Sequence, residues 1–252
     1  MGVLVMLALV LIWSLAISAI TMPPMWITLS VQGLLVFGAF IFGASWILRR
    51  NRNPIRMTLG MTGAHPLFFI AAGVGVLFAG ALCDEVASLL HLWNPEFFST
   101  GTMGEISDAI AKATPIGFVV LSVTLSLLPA VGEEIMFRGL VLRSFKRDMP
   151  AYFAVIYSAI LFGIVHFSWL QGTAAGLLGC YLGAIVIFSR SIYPAMLAHL
   201  INNLSWCLLS HYQPGFMDEV LKEGHSLLSI GISLIITAAS VVLMWQLARR
   251  RR

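Results

Sequence analysis

Eight apolar runs, at about 3–22, 26–48, 65–90, 115–137, 151–168, 171–188, 192–210 and 227–247, constrain this chain more than any other feature. Each is near the roughly 20 residues that cross about 30 Å of hydrocarbon as a helix. With 252 residues in all, little length remains for a sizeable soluble domain. Composition agrees: 59% of residues are hydrophobic and 10% charged, where an ordinary soluble domain carries about 25% charged. Too few polar side chains exist to cover a water-facing surface. The expected fold is therefore all-α, a polytopic integral membrane helix bundle of about eight spans, with function placed among the helices. The first run has no basic segment ahead of it and is followed closely by a second, so it reads as a retained helix rather than a signal peptide.

Orientation follows from the basic residues. Arg49, Arg50, Arg52 and Arg56 follow span two, Arg143, Lys146 and Arg147 follow span four, Arg190 follows span six, and Arg249 to Arg252 end the chain. In an eight-span chain all four clusters fall on one face, which places both termini in the cytoplasm and the protein in the cell membrane. The net charge of +4 is accounted for by these span-end clusters, so no nucleic-acid partner is expected. Cys83, Cys180 and Cys207 lack ligand-like spacing and read as small core residues. Asp84 and Glu85 read as solvated at an outer span end. His65, His91, His211 and His225 read as interfacial.

The chain divides into 1–114, three helices and an outer loop; 115–210, the stretch with the chemistry; and 211–252, a last span with a basic tail. The connection from about 91 to 114 predicts an interfacial helix, since Glu105, Asp108 and Lys112 form one stripe and Ile106 and Ile110 another. Gly172, Gly176, Gly179 and Gly183 repeat at a spacing suited to close helix approach.

Ionisable residues inside apolar runs carry the functional signal, because each costs about 2.5–3.5 kcal/mol at a helix centre unless paired or solvated. Span four holds Glu133, Glu134 and Arg138, span five holds Phe162 and His166, and span seven holds His199, Asn202 and Asn203. Glu134 and Arg138 are an i,i+4 pair with the acid first, the better order for an ion pair. Glu133, rotated about 100° away, is left as a free carboxylate. His199 and Asn203 share a face, while Asn202 is expected to project elsewhere. So many polar groups on three helices exceed what packing requires.

Glu133-Glu134-Ile135-Met136-Phe137-Arg138, then Phe162-Gly163-Ile164-Val165-His166, then His199-Leu200-Ile201-Asn202-Asn203 resemble, in this order, the EExxxR, FxxxH and HxxxN motifs of the CPBP family of intramembrane proteases, the CAAX proteases and bacteriocin-processing (Abi) enzymes. The resemblance covers about 115–210. It implies hydrolysis of a peptide bond in a membrane-associated or lipidated protein or peptide. Glu133 and His166 would activate water, His199 and Asn203 would bind the oxyanion, and Glu134, Arg138 and Phe162 would support them. A metal-free reaction is favoured and no cofactor is expected. If the enzyme were instead zinc-dependent, Glu133, His166 and His199 would be the ligands, although HExxH is absent. The alternatives are a transporter or channel with a buried proton or ion relay, and a non-catalytic immunity or scaffold protein of the same fold.

Overall fold

A computed structural model describes residues 25–50, 54–215, 219 and 227–250. The first apolar run, His225 and the last two arginines lie outside the described residues. All regular structure among the described residues is helical: α1 (Met25–Arg50), α2 (Ile55–Leu59), α3 (Pro66–Trp93), α4 (Gly101–Ala111), α5 (Pro115–Asp148), α6 (Ala151–Ile164), α7 (Trp169–Ser189), α8 (Tyr193–Tyr212) and α9 (Leu227–Arg249). Five of these, α1, α3, α5, α7 and α9, are long and apolar enough to cross a membrane. The protein is an integral membrane protein. Two expected spans differ from that description for physical reasons. α6 has 14 residues, about 21 Å of helix, because its chain turns at Val165 instead of running on. α8 has the length, at 20 residues, but His199, Asn202, Asn203, Ser205, Ser210 and His211 make it too polar to qualify.

Local signals set the helix ends. Thr114 caps α5, accepting from the Gly117 N–H at 3.1 Å ahead of Pro115. Met149 is extended, as a residue before proline must be, and separates α5 from α6. Along α5 the turns widen to π geometry twice, over Val123–Leu127 and Glu134–Val141. Such insertions are rare and concentrate at functional sites.

α3 packs against α7, α8 and α9, and α5 packs against α1, α6 and α8. Phe68, Met136, Phe137, Leu142, Phe162, Leu182 and Ile185 form a continuous buried core between them. Phe42, Ile70, Ile116, Ile164 and Ile235 remain exposed on the outside, as lipid-facing side chains would be. The glycine series works as its spacing predicts. A Cβ on Gly163 of α6 would come within 2.4 Å of the Gly172 carbonyl oxygen of α7, and one on Gly179 within 3.1 Å of Phe162. Backbone meets backbone here, so Gly163→Ala should cost about 1–3 kcal/mol of stability. A thermal midpoint in detergent equal to that of the unaltered protein would contradict this contact.

α4 confirms the helix expected in the 91–114 connection. Ile110 is fully buried and Asp108 and Lys112 form an exposed ion pair at 3.2 Å. His91 and His211 hold this segment, with Nδ1 of each 2.9 Å from the carbonyl oxygens of Phe98 and Ile110. Glu85 corrects the sequence reading: it is only 9% exposed, because α3 continues two turns past it to Trp93. The cysteines are free thiols, Cys83 and Cys207 buried and Cys180 half-buried. At one end of the bundle Arg143 and Thr62 both donate to the Arg190 carbonyl at 3.1 Å. A cleft beside Arg190 is lined also by Ala248, next to Arg249. The basic ends of α5, α7 and α9 therefore gather on one side.

Candidate active site

The motif residues of α5, the α6 end and α8 converge. Arg138 lies in the second π segment with Glu134 one wide turn before it. Its Nη1 donates to Glu134 Oε1 at 2.8 Å, and both side chains are buried, at 1% and 0% exposure. Nη2 donates to the Gly179 carbonyl oxygen of α7 at 3.2 Å. Gly179 makes this reach feasible, since a Cβ there would sit 3.2 Å from Nη2 and crowd Phe162 as well. The guanidinium stacks over the Phe162 ring, 4.3 Å from its centroid. Arg138 thus ties α5 to both α6 and α7.

The imidazole of His199 stands between the two glutamates. Its Nδ1 is 3.0 Å from Glu134 Oε1, and its Nε2 is 3.7 Å from Glu133 Oε2. A carboxylate already accepting from a guanidinium is an acceptor, so Nδ1 of His199 carries a proton and donates it. Glu134 Oε2 has no hydrogen-bond partner among the described residues; the two cationic or polar donors both use Oε1. Glu133 is the more accessible carboxylate, with its side chain 15% exposed. As the i,i+4 spacing predicts, Glu134 is the acid paired with Arg138, and Glu133 stands outside that pair. The expectation that Glu133 works beside His166 is not met by a direct contact: among the described residues its ionic contact is with His199.

His166 lies past the end of α6, in a turn, rather than on a membrane helix as the apolar run to 168 suggests. Its Nδ1 donates to the Phe162 carbonyl oxygen at 2.8 Å, which leaves Nε2 to hold the lone pair of the neutral ring. Phe167, at φ 51, adopts the left-handed conformation that swings the chain into α7. Ser168 then caps α7, accepting from the Gln171 N–H at 3.3 Å. The Phe162 ring is the common neighbour of the site. It meets His166 edge-on at 5.1 Å and His199 at 5.8 Å between centroids.

Asn203, one turn beyond His199, donates from Nδ2 to the Leu125 carbonyl oxygen of α5 at 3.3 Å. Asn202 faces α3, its Oδ1 occupying space left by Gly80, where a Cβ would come within 2.6 Å, and its Nδ2 also donates to Asn203 Oδ1 at 3.3 Å. Two partners escape sequence reasoning, Gly179 and Asn202. The glycine run signals the first only as packing, and helical angles send the second toward another helix without showing its bond to Asn203, which forms because two short adjacent amides curl toward each other.

The site brings together one partly exposed carboxylate, two imidazoles and an oriented amide. Metal binding needs convergent donors, and among the described residues no group of three or more His, Cys, Asp or Glu side chains is arranged to hold a metal ion. Glu133, His166 and His199 form no such group, although engagement of both Nδ1 atoms leaves each Nε2 as the ring nitrogen facing away from its partner.

Neither a curated protein nor a solved structure matches the chain in a search. Residues 115–205, which contain every one of the motif residues above, match the family described as Rce1-like, type II CAAX prenyl endopeptidase Rce1-like. The match takes in about a third of the 252 residues, and over that stretch the chain is similar to this family of CAAX endopeptidases.

Proposed function

We propose that the protein is an intramembrane endopeptidase that hydrolyses a peptide bond in a membrane-associated or lipidated protein or peptide. One observation carries this reading: His199 sits between a locked glutamate and an open one, within the Rce1-like domain. Glu133, with His166, takes a proton from water as the water oxygen attacks the scissile carbonyl carbon. The carbonyl electron pair moves onto oxygen. Asn203 Nδ2–H and the His199 imidazole stabilise that oxyanion. The C–N bond then breaks, and the proton held by Glu133 passes to the leaving amine. Glu134, Arg138 and Phe162 hold these groups in register. The reaction is metal-free and uses no cofactor; its partners are a protein or peptide substrate and the lipid bilayer, not nucleic acid. Eight spans with both termini cytoplasmic, in the cell membrane, complete the reading. Reporter fusions that placed residues 54–63 and the C-terminus on opposite faces would refute that topology.

The direct test incubates the purified full chain, in lipid nanodiscs, with a prenylated peptide ending in a CAAX sequence and with its unprenylated counterpart. Mass spectrometry should find one new terminus. Asn203→Ala should lower turnover by about 10²–10³ with little change in folding, whereas a mere interhelical hydrogen bond would cost about 0.6 kcal/mol of stability and little activity. Activity should survive a tight chelator. One bound zinc per chain, lost in both His166→Ala and His199→Ala, would overturn the metal-free mechanism.

A further inference from the structure

α5 contains a built-in interruption one turn before the glutamates. Pro129 lies within Pro115–Asp148, has no N–H to donate, and its ring clashes with the carbonyl four residues earlier in a regular α-helix. That carbonyl belongs to Leu125. The helix opens to π geometry over Val123–Leu127, and the Leu128 N–H reaches back to the Val123 carbonyl. The Leu125 carbonyl has thus lost its α-helical donor, and away from water a carbonyl needs a replacement. Asn203 is that replacement, donating across from α8 at 3.3 Å. With Asn202 donating to its Oδ1, the Asn203 amide is held at both ends. One of the two Nδ2 hydrogens is committed, and the other remains to donate.

We infer that Pro129 is a positioning residue for Asn203: by withholding an N–H from Leu125, it leaves a carbonyl that fixes the plane and direction of the Asn203 amide. This rests on the oxyanion role proposed above and explains how an amide on α8 acquires a set orientation. Restoring the N–H at position 129 lets α5 bond its own Leu125 carbonyl and contract toward α geometry. Asn203 then loses its anchor.

Two readouts separate this from the proposed reaction. The first needs no substrate. The full chain in detergent micelles carries ¹⁵N-labelled asparagine, of which it has five, and the Asn203 side-chain resonance is assigned by its loss in Asn203→Ala. In Pro129→Ala, or Pro129→Gly should the Ala variant fold poorly, that resonance should shift and its hydrogens exchange faster. An unchanged Asn203 resonance overturns the inference. The second readout is kcat and KM on the prenylated peptide. Pro129→Ala should lower kcat by about fivefold to tenfold, the worth of one oriented hydrogen bond, with KM unchanged. In an Asn203→Ala background the same change should have almost no effect. Pro129 also lies one turn before Glu133, so a fall in kcat that persisted undiminished without Asn203 would show an effect through the glutamates and overturn the inference. If no peptide is cleaved by any form, the protease reading fails while the resonance shift still decides the role of Pro129.

Discussion

Glu133→Gln is expected to abolish cleavage of the prenylated peptide while leaving the amount of folded protein and its thermal midpoint close to those of the unaltered chain. The substitution keeps the shape and a hydrogen-bonding oxygen but removes the ability to accept a proton, a contribution of about 10²–10⁴ in rate for a general base. Folding should be spared because Glu133 is the accessible member of the pair, with its side chain 15% exposed and, among the described residues, one ionic contact, to His199, at the long distance of 3.7 Å. Activity assays and thermal unfolding on the same preparation read both quantities. A Glu133→Gln protein that cleaved at the normal rate would remove Glu133 from the mechanism. One that unfolded as easily as an Arg138 variant would show that the two carboxylates do not divide the work as proposed.

Arg138→Ala should produce the opposite pattern, a loss of folded protein that precedes any question of catalysis. Its guanidinium is 1% exposed, ion-paired to a carboxylate at 0% exposure, bonded to the Gly179 carbonyl oxygen and stacked on Phe162. Removing it leaves Glu134 as a buried charge with His199 alone, and breaking a buried pair in this way costs about 3–5 kcal/mol. A chain held together by a stability of roughly 5–15 kcal/mol cannot absorb that unnoticed. Arg138→Lys should rescue poorly, since a single ammonium lacks the planar fork that reaches Glu134 and Gly179 together. Yield after size-exclusion chromatography and the thermal midpoint are the measurements. An Arg138→Ala protein as stable as the unaltered one would mean that the pair is not needed to hold α5 against α6 and α7.

These two predictions depend on unequal parts of the sequence reading. The pairing of Glu134 with Arg138 is visible in four residues of spacing, because helical neighbours at that interval meet almost regardless of context. The availability of Glu133 is also visible as what the pair leaves over. The neighbour of Glu133 is not: His199 lies 65 residues beyond Glu134, and no local rule says which of two imidazoles on separate elements a carboxylate will face. His166 illustrates the other limit. An apolar run of 151–168 reads as helix throughout, yet the chain turns at Val165 and crosses over Phe167 in a left-handed conformation, so the histidine lies past the end of α6 and bonds back to the Phe162 carbonyl.

What the sequence by itself determined was the solvent and the inventory. Apolar runs of spanning length with too few charges elsewhere demand a bilayer, and in hydrocarbon the backbone must satisfy its own hydrogen bonds, which leaves helices for such runs. The glycine series on α7 and the isolated Glu, Arg, His and Asn residues could be named as contact and chemistry from spacing and cost alone. The tertiary structure decided which of those groups meet. Orientation along α5 depends on two π segments, each of which rotates everything after it. The Asn202 and Asn203 amides depend on a carbonyl of α5 and on space beside Gly80 of α3. These are properties of how helices far apart in sequence pack, and packing is set by shape complementarity among all of them at once, which no periodicity within one segment encodes.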